Sequence, residues 1–164
     1  MRTLKHALAL LLCALALAAV TTACGAGGGR GKNVPVSDIT AAVSAAIGKT
    51  DALTESDGMF LGLTQKKAED IGEHAVLINV YGANVDEFGV FKAGAMTTRE
   101  LKALADDYLK KRLGAWMDEY MPEEKPKLTN AEVQTDGDYV MYCILSDADK
   151  DAAFKAFSDT LNGK

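Results

Sequence analysis

Histidine is almost absent from this 164-residue chain, which has two, and only His74 lies beyond residue 23. A structural or catalytic zinc site needs several imidazole or thiolate ligands, so one histidine excludes the usual His/Cys centres and disfavours a metal hydrolase. Cysteine is nearly as scarce, with Cys13, Cys24 and Cys143. Cys13 and Cys24 both lie within the first 24 residues, which leaves Cys143 as the one cysteine of the remaining chain, without a partner there for an intradomain disulfide. Its place in the apolar run Tyr139-Val140-Met141-Tyr142-Cys143-Ile144-Leu145 marks it as a buried small hydrophobe. Clusters of basic residues are missing too. Lys110-Lys111-Arg112 is the densest, and it sits in a mixed-charge helical segment, so neither nucleic acid nor an anionic lipid surface is an expected partner. A phosphate-cradling glycine loop is also lacking, because Gly25 to Gly31 follows no strand and opens no helix. No cofactor and no metal are therefore expected.

One long apolar run is present, and it is short for a bilayer span. It covers Ala7 to Val20, follows Arg2 and Lys5, and ends in Thr21-Thr22-Ala23-Cys24. A cationic start, an apolar middle and small residues before a cysteine are the parts of a bacterial lipoprotein leader. Residues 1–23 are accordingly expected to be removed as a signal peptide, with lipid attached to Cys24. Residues 24–34 then form a tether, whose run Gly25-Ala26-Gly27-Gly28-Gly29-Arg30-Gly31-Lys32-Asn33 reads as a flexible linker of about 16 Å end to end. Residues 35–164 are long enough for a single domain with a real core. Loss of Arg2 and Lys5 leaves 16 basic against 23 acidic residues, so the mature chain carries a net charge of −7.

The folded part reads as α+β. Ser37 can cap a helix carrying Ile39, Val43, Ala46 and Ile47, which Gly48 ends, and a short helix spans about Gln65 to Ile71 with Thr64 as its cap. Val76 to Tyr81 and Val85 to Lys92 read as a hairpin around Gly82-Ala83-Asn84. Thr97-Thr98-Arg99-Glu100 has capping-box spacing and opens a long helix expected to run to Pro122. Leu128 to Thr135 and Asp138 to Leu145 form a second hairpin around Asp136-Gly137, whose residues suit a tight turn. Ser146 or Asp147 caps a last helix ending before Gly163. Two ββα units predict a four-stranded antiparallel sheet, with the two later helices on one face and the N-terminal helix on the other face of the strand Tyr139 to Leu145.

Few residues suggest chemistry. Asp147, Asp149 and Asp151 open like a calcium loop, but Ala152 stands where glycine is needed and Ser158 where a bidentate glutamate belongs, so an acidic helix N-terminus is the better reading. Cys143 with His74 is the one thiol–imidazole pair available, and His74 alone reads as a surface residue. The carboxylate pairs Asp86-Glu87, Asp106-Asp107 and Asp118-Glu119 read as solvated faces. Tyr108, Trp116 and Tyr120 fall on a helical stripe that suits core packing, with Tyr120, beside Pro122, the one expected to reach solvent.

The lipobox Ala23-Cys24-Gly25, the strand Val85-Asp86-Glu87-Phe88-Gly89-Val90-Phe91-Lys92-Ala93, the helix end Tyr120-Met121-Pro122, and Leu128-Thr129-Asn130-Ala131-Glu132-Val133 leading to Gly137-Asp138-Tyr139-Val140 carry a resemblance. In these the chain resembles the DUF4358 family of uncharacterised lipoproteins, found mainly in Firmicutes. The resemblance implies an α+β fold and a location, not an activity, and assigns no catalytic residue. Because Asp86 and Glu87 lie within it, they join Tyr120 as a candidate binding surface. The expectation is a lipid-anchored protein on the extracytoplasmic face of the cell membrane, held through Cys24, that binds an envelope protein or wall component. The alternatives are an envelope enzyme using carboxylates and a small-ligand receptor subunit.

Overall fold

The computed structural model describes residues 33–82, 84–117 and 119–164. The leader, Cys24 and nearly all of the glycine-rich tether lie outside these residues, as do Ala83 of the first hairpin turn and Asp118 of the pair Asp118-Glu119.

The fold is α+β with a five-stranded antiparallel sheet, one strand more than predicted. In chain order the elements are α1 (Val36–Ala46), β1 (Thr54–Glu55), α2 (Gly58–Thr64), α3 (Ala68–Ile71), β2 (His74–Ile78), β3 (Glu87–Lys92), α4 (Thr98–Gly114), a 3-10 turn (Pro122–Glu124), α5 (Lys125–Thr129), β4 (Glu132–Asp136), β5 (Tyr139–Ile144) and α6 (Asp147–Asn162). The strand order is β1-β2-β3-β5-β4. The extra strand, β1, pairs Thr54 and Glu55 with Ile78 and Leu77. At two exposed residues it is too short to leave an alternating pattern.

All six residues of β5 are buried, and its side chains alternate between two cores. Tyr139, Met141 and Cys143 face Ile39 and Val43 of α1 and Phe157 and Leu161 of α6. Val140, Tyr142 and Ile144 face Phe60 of α2 and Leu101, Ala105 and Tyr108 of α4. The N-terminal helix thus covers one face of this strand. It shares that face with α6, so the two later helices lie on opposite faces rather than on one. A sheet whose central strands are apolar on both sides needs a helical layer on each, and α1 with α6 supplies one while α2 with α4 supplies the other.

Several local expectations shift for identifiable reasons. The box at Thr97 forms, with Thr97 accepting from the Glu100 amide and Glu100 accepting from the Thr97 amide at 2.8 Å. Its helix stops at Gly114, short of Pro122, where the Ala115 and Trp116 amides already bond Lys111 and Leu113 carbonyls. Leu128 and Thr129 are helical instead of extended, because Pro126 sits in the first turn of α5, where its missing N–H costs nothing. Helix α1 begins after Pro35, which places Ser37 inside the first turn instead of at the cap. The Thr64 hydroxyl ends α2 by donating to the Phe60 carbonyl at 2.7 Å and caps no following helix. Asp136 pairs with Tyr139, so the tight turn is Gly137-Asp138, with the positive φ of 56° at the glycine. Ser146 caps α6 by accepting from the Asp149 amide.

Candidate functional site

Asp86 and Glu87 enter β3 side by side, and both are buried, at 2% and 1% exposure. The reading of this pair as a solvated face is therefore wrong. Successive residues of an extended chain point apart, so the two carboxylates meet different partners. Glu87 turns toward α4. Its Oε1 accepts the Tyr108 hydroxyl at 2.5 Å and the Tyr142 hydroxyl at 2.6 Å, while Oε2 accepts Arg112 Nη2 at 3.2 Å and Nε at 3.3 Å. Asp86 sits between layers. Its Oδ2 accepts Lys49 Nζ at 2.7 Å from beyond α1, and its Oδ1 accepts Lys127 Nζ at 2.8 Å from α5.

Burial this deep demands compensation, since a carboxylate taken out of water is costly unless paired and hydrogen-bonded. Glu87 receives four donor contacts and Asp86 two ammonium groups. The neighbours register the same field. Burial, then the Glu87 charge, pushes the Tyr142 and Tyr108 hydroxyls well above their usual pKa. Burial works against the Arg112 cation, but Glu87 and Tyr108 beside it outweigh that and raise its pKa. Lys49 and Lys127 behave alike: desolvation works against each cation, and Asp86 together with Asp149 for Lys49 and Glu124 for Lys127 outweighs it and raises the pKa. Phe60 packs on Tyr108 and Tyr142 at ring separations of 4.7 and 5.9 Å, which seals the Glu87 network from the α2 side.

The β2–β3 connection is braced over this pair. Asn84 Oδ1 accepts from Asn79 Nδ2 and from the Asp86 amide, each at 3.0 Å, and the Val85 amide donates to Glu124 at 2.9 Å. Between this loop and the segment after α4 lies a cleft of about 200 Å³, lined by Ile78, Asn84, Glu87, Arg112, Trp116 and Tyr120 among others. The Trp116 and Tyr120 rings meet at 5.8 Å. Trp116 Nε1 is buried without a hydrogen-bond partner. Five large apolar side chains are exposed among the described residues: Met59, Val80, Tyr81, Met117 and Tyr120. Met59 and Tyr120 line the cleft, Val80 and Tyr81 lie between its lining residues Asn79 and Gly82, and Met117 follows Trp116. Two of the five exposed apolar side chains, Met59 and Tyr120, thus line the cleft itself.

The structure brings the candidate residues Asp86, Glu87 and Tyr120 to the same cleft. Cys24 lies outside the described residues. His74 is not a surface residue. Its side chain is 7% exposed, stacks on Phe91 at 5.9 Å, and places Nδ1 2.7 Å from the Gly72 carbonyl and Nε2 3.4 Å from Asp57. Cys143 is fully buried on the α1/α6 side, where burial pushes its thiol pKa up, while His74 packs on Phe91 of the opposite core. The two form no dyad. Asp106 and Asp107 pair on the surface with Lys102 and Lys111. Asp147 pairs with Lys150 and Asp149 with Lys49. Among the described residues no group of His, Cys, Asp and Glu could hold a metal ion.

Arg112, Lys49 and Lys127 are the site residues that the sequence concealed. Arg112 carried one signal, its position four residues after Tyr108, which puts both on one helix face. Nothing local marks the lysines, whose partner is distant in sequence.

A family model described as "Domain of unknown function (DUF4358)" matches residues 60–145, slightly more than half of the chain. The match contains β2, β3, α4 and β5 and every lining residue of the cleft except Met59. No curated protein and no solved structure matches.

Proposed function

The chain belongs to the DUF4358 family, and from that premise we propose that it is a lipid-anchored lipoprotein of a Firmicutes envelope, working as an extracytoplasmic binding module. One observation carries the binding reading: around the cleft the charged groups are consumed by one another, while the rim is apolar and aromatic. Glu87 already accepts two hydroxyls and a guanidinium, and Asp86 two ammonium groups, so neither offers the free, poised carboxyl that general acid–base chemistry uses. Size speaks against a receptor for a sizeable solute. At about 200 Å³ the cleft falls below the roughly 300–1,000 Å³ of ordinary small-molecule sites.

The anchor reading rests on Thr21-Thr22-Ala23-Cys24 after the apolar run. No helix among the described residues is long and apolar enough to cross a membrane. Val34 is fixed at one end of the sheet, where its amide donates to Tyr139 Oη at 2.9 Å and its carbonyl accepts that hydroxyl at 2.6 Å. Tyr139 is the ladder partner of Lys92, at the opposite end of β3 from Glu87. A six-residue strand rises about 17 Å, so the point where the tether joins and the cleft stand at opposite poles. Lipid at Cys24 would hold the first pole toward the membrane and present the second outward.

The mass of the mature protein and its palmitate labelling test the anchor. The expected product begins at Cys24 with a diacylglyceryl group, and Cys24→Ala abolishes labelling. An unmodified Cys24 in membrane-derived protein would sink the anchor.

A further inference from the structure

We propose that the open edge of β4 docks an extended segment of another protein as an added antiparallel strand, a segment whose side chains alternate between basic or polar and apolar. The inference rests on neither the lipid anchor nor the cleft. β4 forms one edge of the sheet and joins β5 through the turn Gly137-Asp138. Across a two-residue turn Asp136 and Tyr139 are a hydrogen-bonded pair, so by alternation Gln134 bonds Met141 and Glu132 bonds Cys143, and the amides and carbonyls of Val133 and Thr135 point outward. The Asp138 carbonyl, which accepts the Ala93 amide at 2.7 Å on the β3 side, obeys the same alternation. Among the described residues nothing pairs with these outward groups. The other edge, β1, has two residues and is too short to template a strand. β4 has five, with neither the proline nor the lysine that keeps an edge from pairing.

The two faces of this edge select the partner. Val133 packs with the core on the α4 side. Leu109 and Leu113 lie on the flank of α4 away from Lys111, whose Nζ bonds the Leu63 carbonyl of α2 at 3.0 Å. With Leu128 and Ala131, just ahead of β4, they line a groove of about 270 Å³, and Asp106 and Lys110 stand beside them. A residue set opposite Val133 on an added strand projects to that same face, so an apolar side chain suits it. On the α6 side β4 presents Glu132, Gln134 and Asp136. Glu132 accepts Lys150 Nζ at 2.6 Å and is still 62% exposed, and Asp136 accepts Asn162 at 3.4 Å. An added strand therefore meets a carboxylate at each end and no cation on β4, which favours basic residues opposite Glu132 and Asp136. The same charges turn away a second copy. Antiparallel pairing of two β4 strands about Gln134 would set each Glu132 against an Asp136, and like charges directly opposite destabilise.

The probe is the peptide acetyl-Lys-Val-Thr-Leu-Lys-amide, titrated into the intact ¹⁵N-labelled protein. The expected result is a saturable downfield shift and slowed hydrogen exchange at the Val133 and Thr135 amides, with the Gly82 amide at the cleft unmoved. A peptide with glutamate in place of both lysines is expected to bind at least tenfold more weakly. So is one N-methylated at its valine and leucine, which lacks the donors that face the Val133 and Thr135 carbonyls. Thr135→Pro removes an outward amide without touching the β4–β5 ladder and is expected to abolish binding. Asp136→Asn, which spares the backbone, is expected to weaken the lysine peptide about threefold to tenfold, the worth of one charged contact. Absence of a shift at Val133 and Thr135 overturns the proposal. Equal binding of the N-methylated peptide overturns strand addition, equal binding of the glutamate peptide overturns the basic partner, and a shift with protein concentration alone overturns the proposal in favour of a second copy. Failure of the anchor would appear in the mass of the mature N-terminus and leave these amides to report as before.

Discussion

Gly89 and Tyr142 are direct partners in the β3–β5 ladder, and a Cβ on Gly89 would overlap Cε1 of the Tyr142 ring and stand 3.1 Å from Phe91 Cε2. Gly89 has no positive φ to serve. It leaves room instead for the ring that reaches along β3 to Glu87, two residues away on the same face. A strand glycine commonly marks such a place, where another group must approach the backbone closely.

Gly89→Ala is therefore expected to destabilise the fold by about 2–3 kcal/mol, the cost of overpacking a filled core. Urea unfolding measures it. If the clash is with Tyr142, the loss shrinks when Gly89→Ala is combined with Tyr142→Leu, so additive costs for the two substitutions would show that the ring is not the obstacle.

Glu87→Gln keeps the shape but leaves the Arg112 cation without its partner. Breaking a buried pair on one side costs about 3–5 kcal/mol, more than the roughly 1 kcal/mol of one neutral hydrogen bond. Glu87→Gln should thus lower stability more than Tyr108→Phe or Tyr142→Phe does. Adding Arg112→Met should return part of the loss, because the stranded charge goes with it. Equal midpoints for Glu87→Gln and Tyr142→Phe in urea would contradict a charge network centred on Glu87.

The elements that were legible in the sequence are those whose cause is local. The Thr97–Glu100 box, the Ser146 cap and the strand Tyr139 to Ile144 each announce themselves within a few residues. The end of α4 was hidden, because the chain beyond it is held by a distant contact, the Val85 amide on Glu124, whereas the helix around Pro126 has a local cause that the strand-like composition of Leu128 to Thr135 masked. The site was half legible. Asp86 and Glu87 stood out as a pair, yet an acidic pair at a strand edge looks solvated until Lys49, Lys127 and Arg112 arrive from 25 to 41 positions away. Tyr108 read correctly as core, but its hydroxyl partner could not be read from a helical stripe.

Alkaline pH should unfold the protein through two of its buried tyrosines, the pair on Glu87. Tyr108 and Tyr142 have raised pKa values in the folded state, by burial first and the Glu87 charge second. In the unfolded chain they ionise near pH 10, so the unfolded state binds fewer protons above that pH and stability falls as pH rises. The stabilisation is complete below pH 10. Above it, the loss is about 1.4 kcal/mol per pH unit for each tyrosine. Unfolding free energies between pH 8 and 11.5 should be level at first and then fall, and Tyr108→Phe should remove about half of the slope. A slope unchanged by that substitution would assign the alkaline transition to other groups.

Asp86 joins the two helical layers at the cleft end of the sheet, and its partners are not equivalent to it. Lys49 also reaches Asp149 of α6 at 3.3 Å, and Lys127 also reaches Glu124 at 2.8 Å. Removing either lysine leaves Asp86 one ammonium partner, whereas removing the Asp86 charge leaves both lysines held only by their outer carboxylates. Asp86→Asn is therefore expected to cost about 2–3 kcal/mol, and Lys49→Met or Lys127→Met about 1 kcal/mol each. The double variant Lys49→Met/Lys127→Met should cost more than the sum of its parts, because it strands a carboxylate that is 2% exposed. Urea unfolding of the four variants measures the cycle. Additivity of the two lysine substitutions would mean that Asp86 is compensated by something other than this pair, and that the cleft floor does not depend on it.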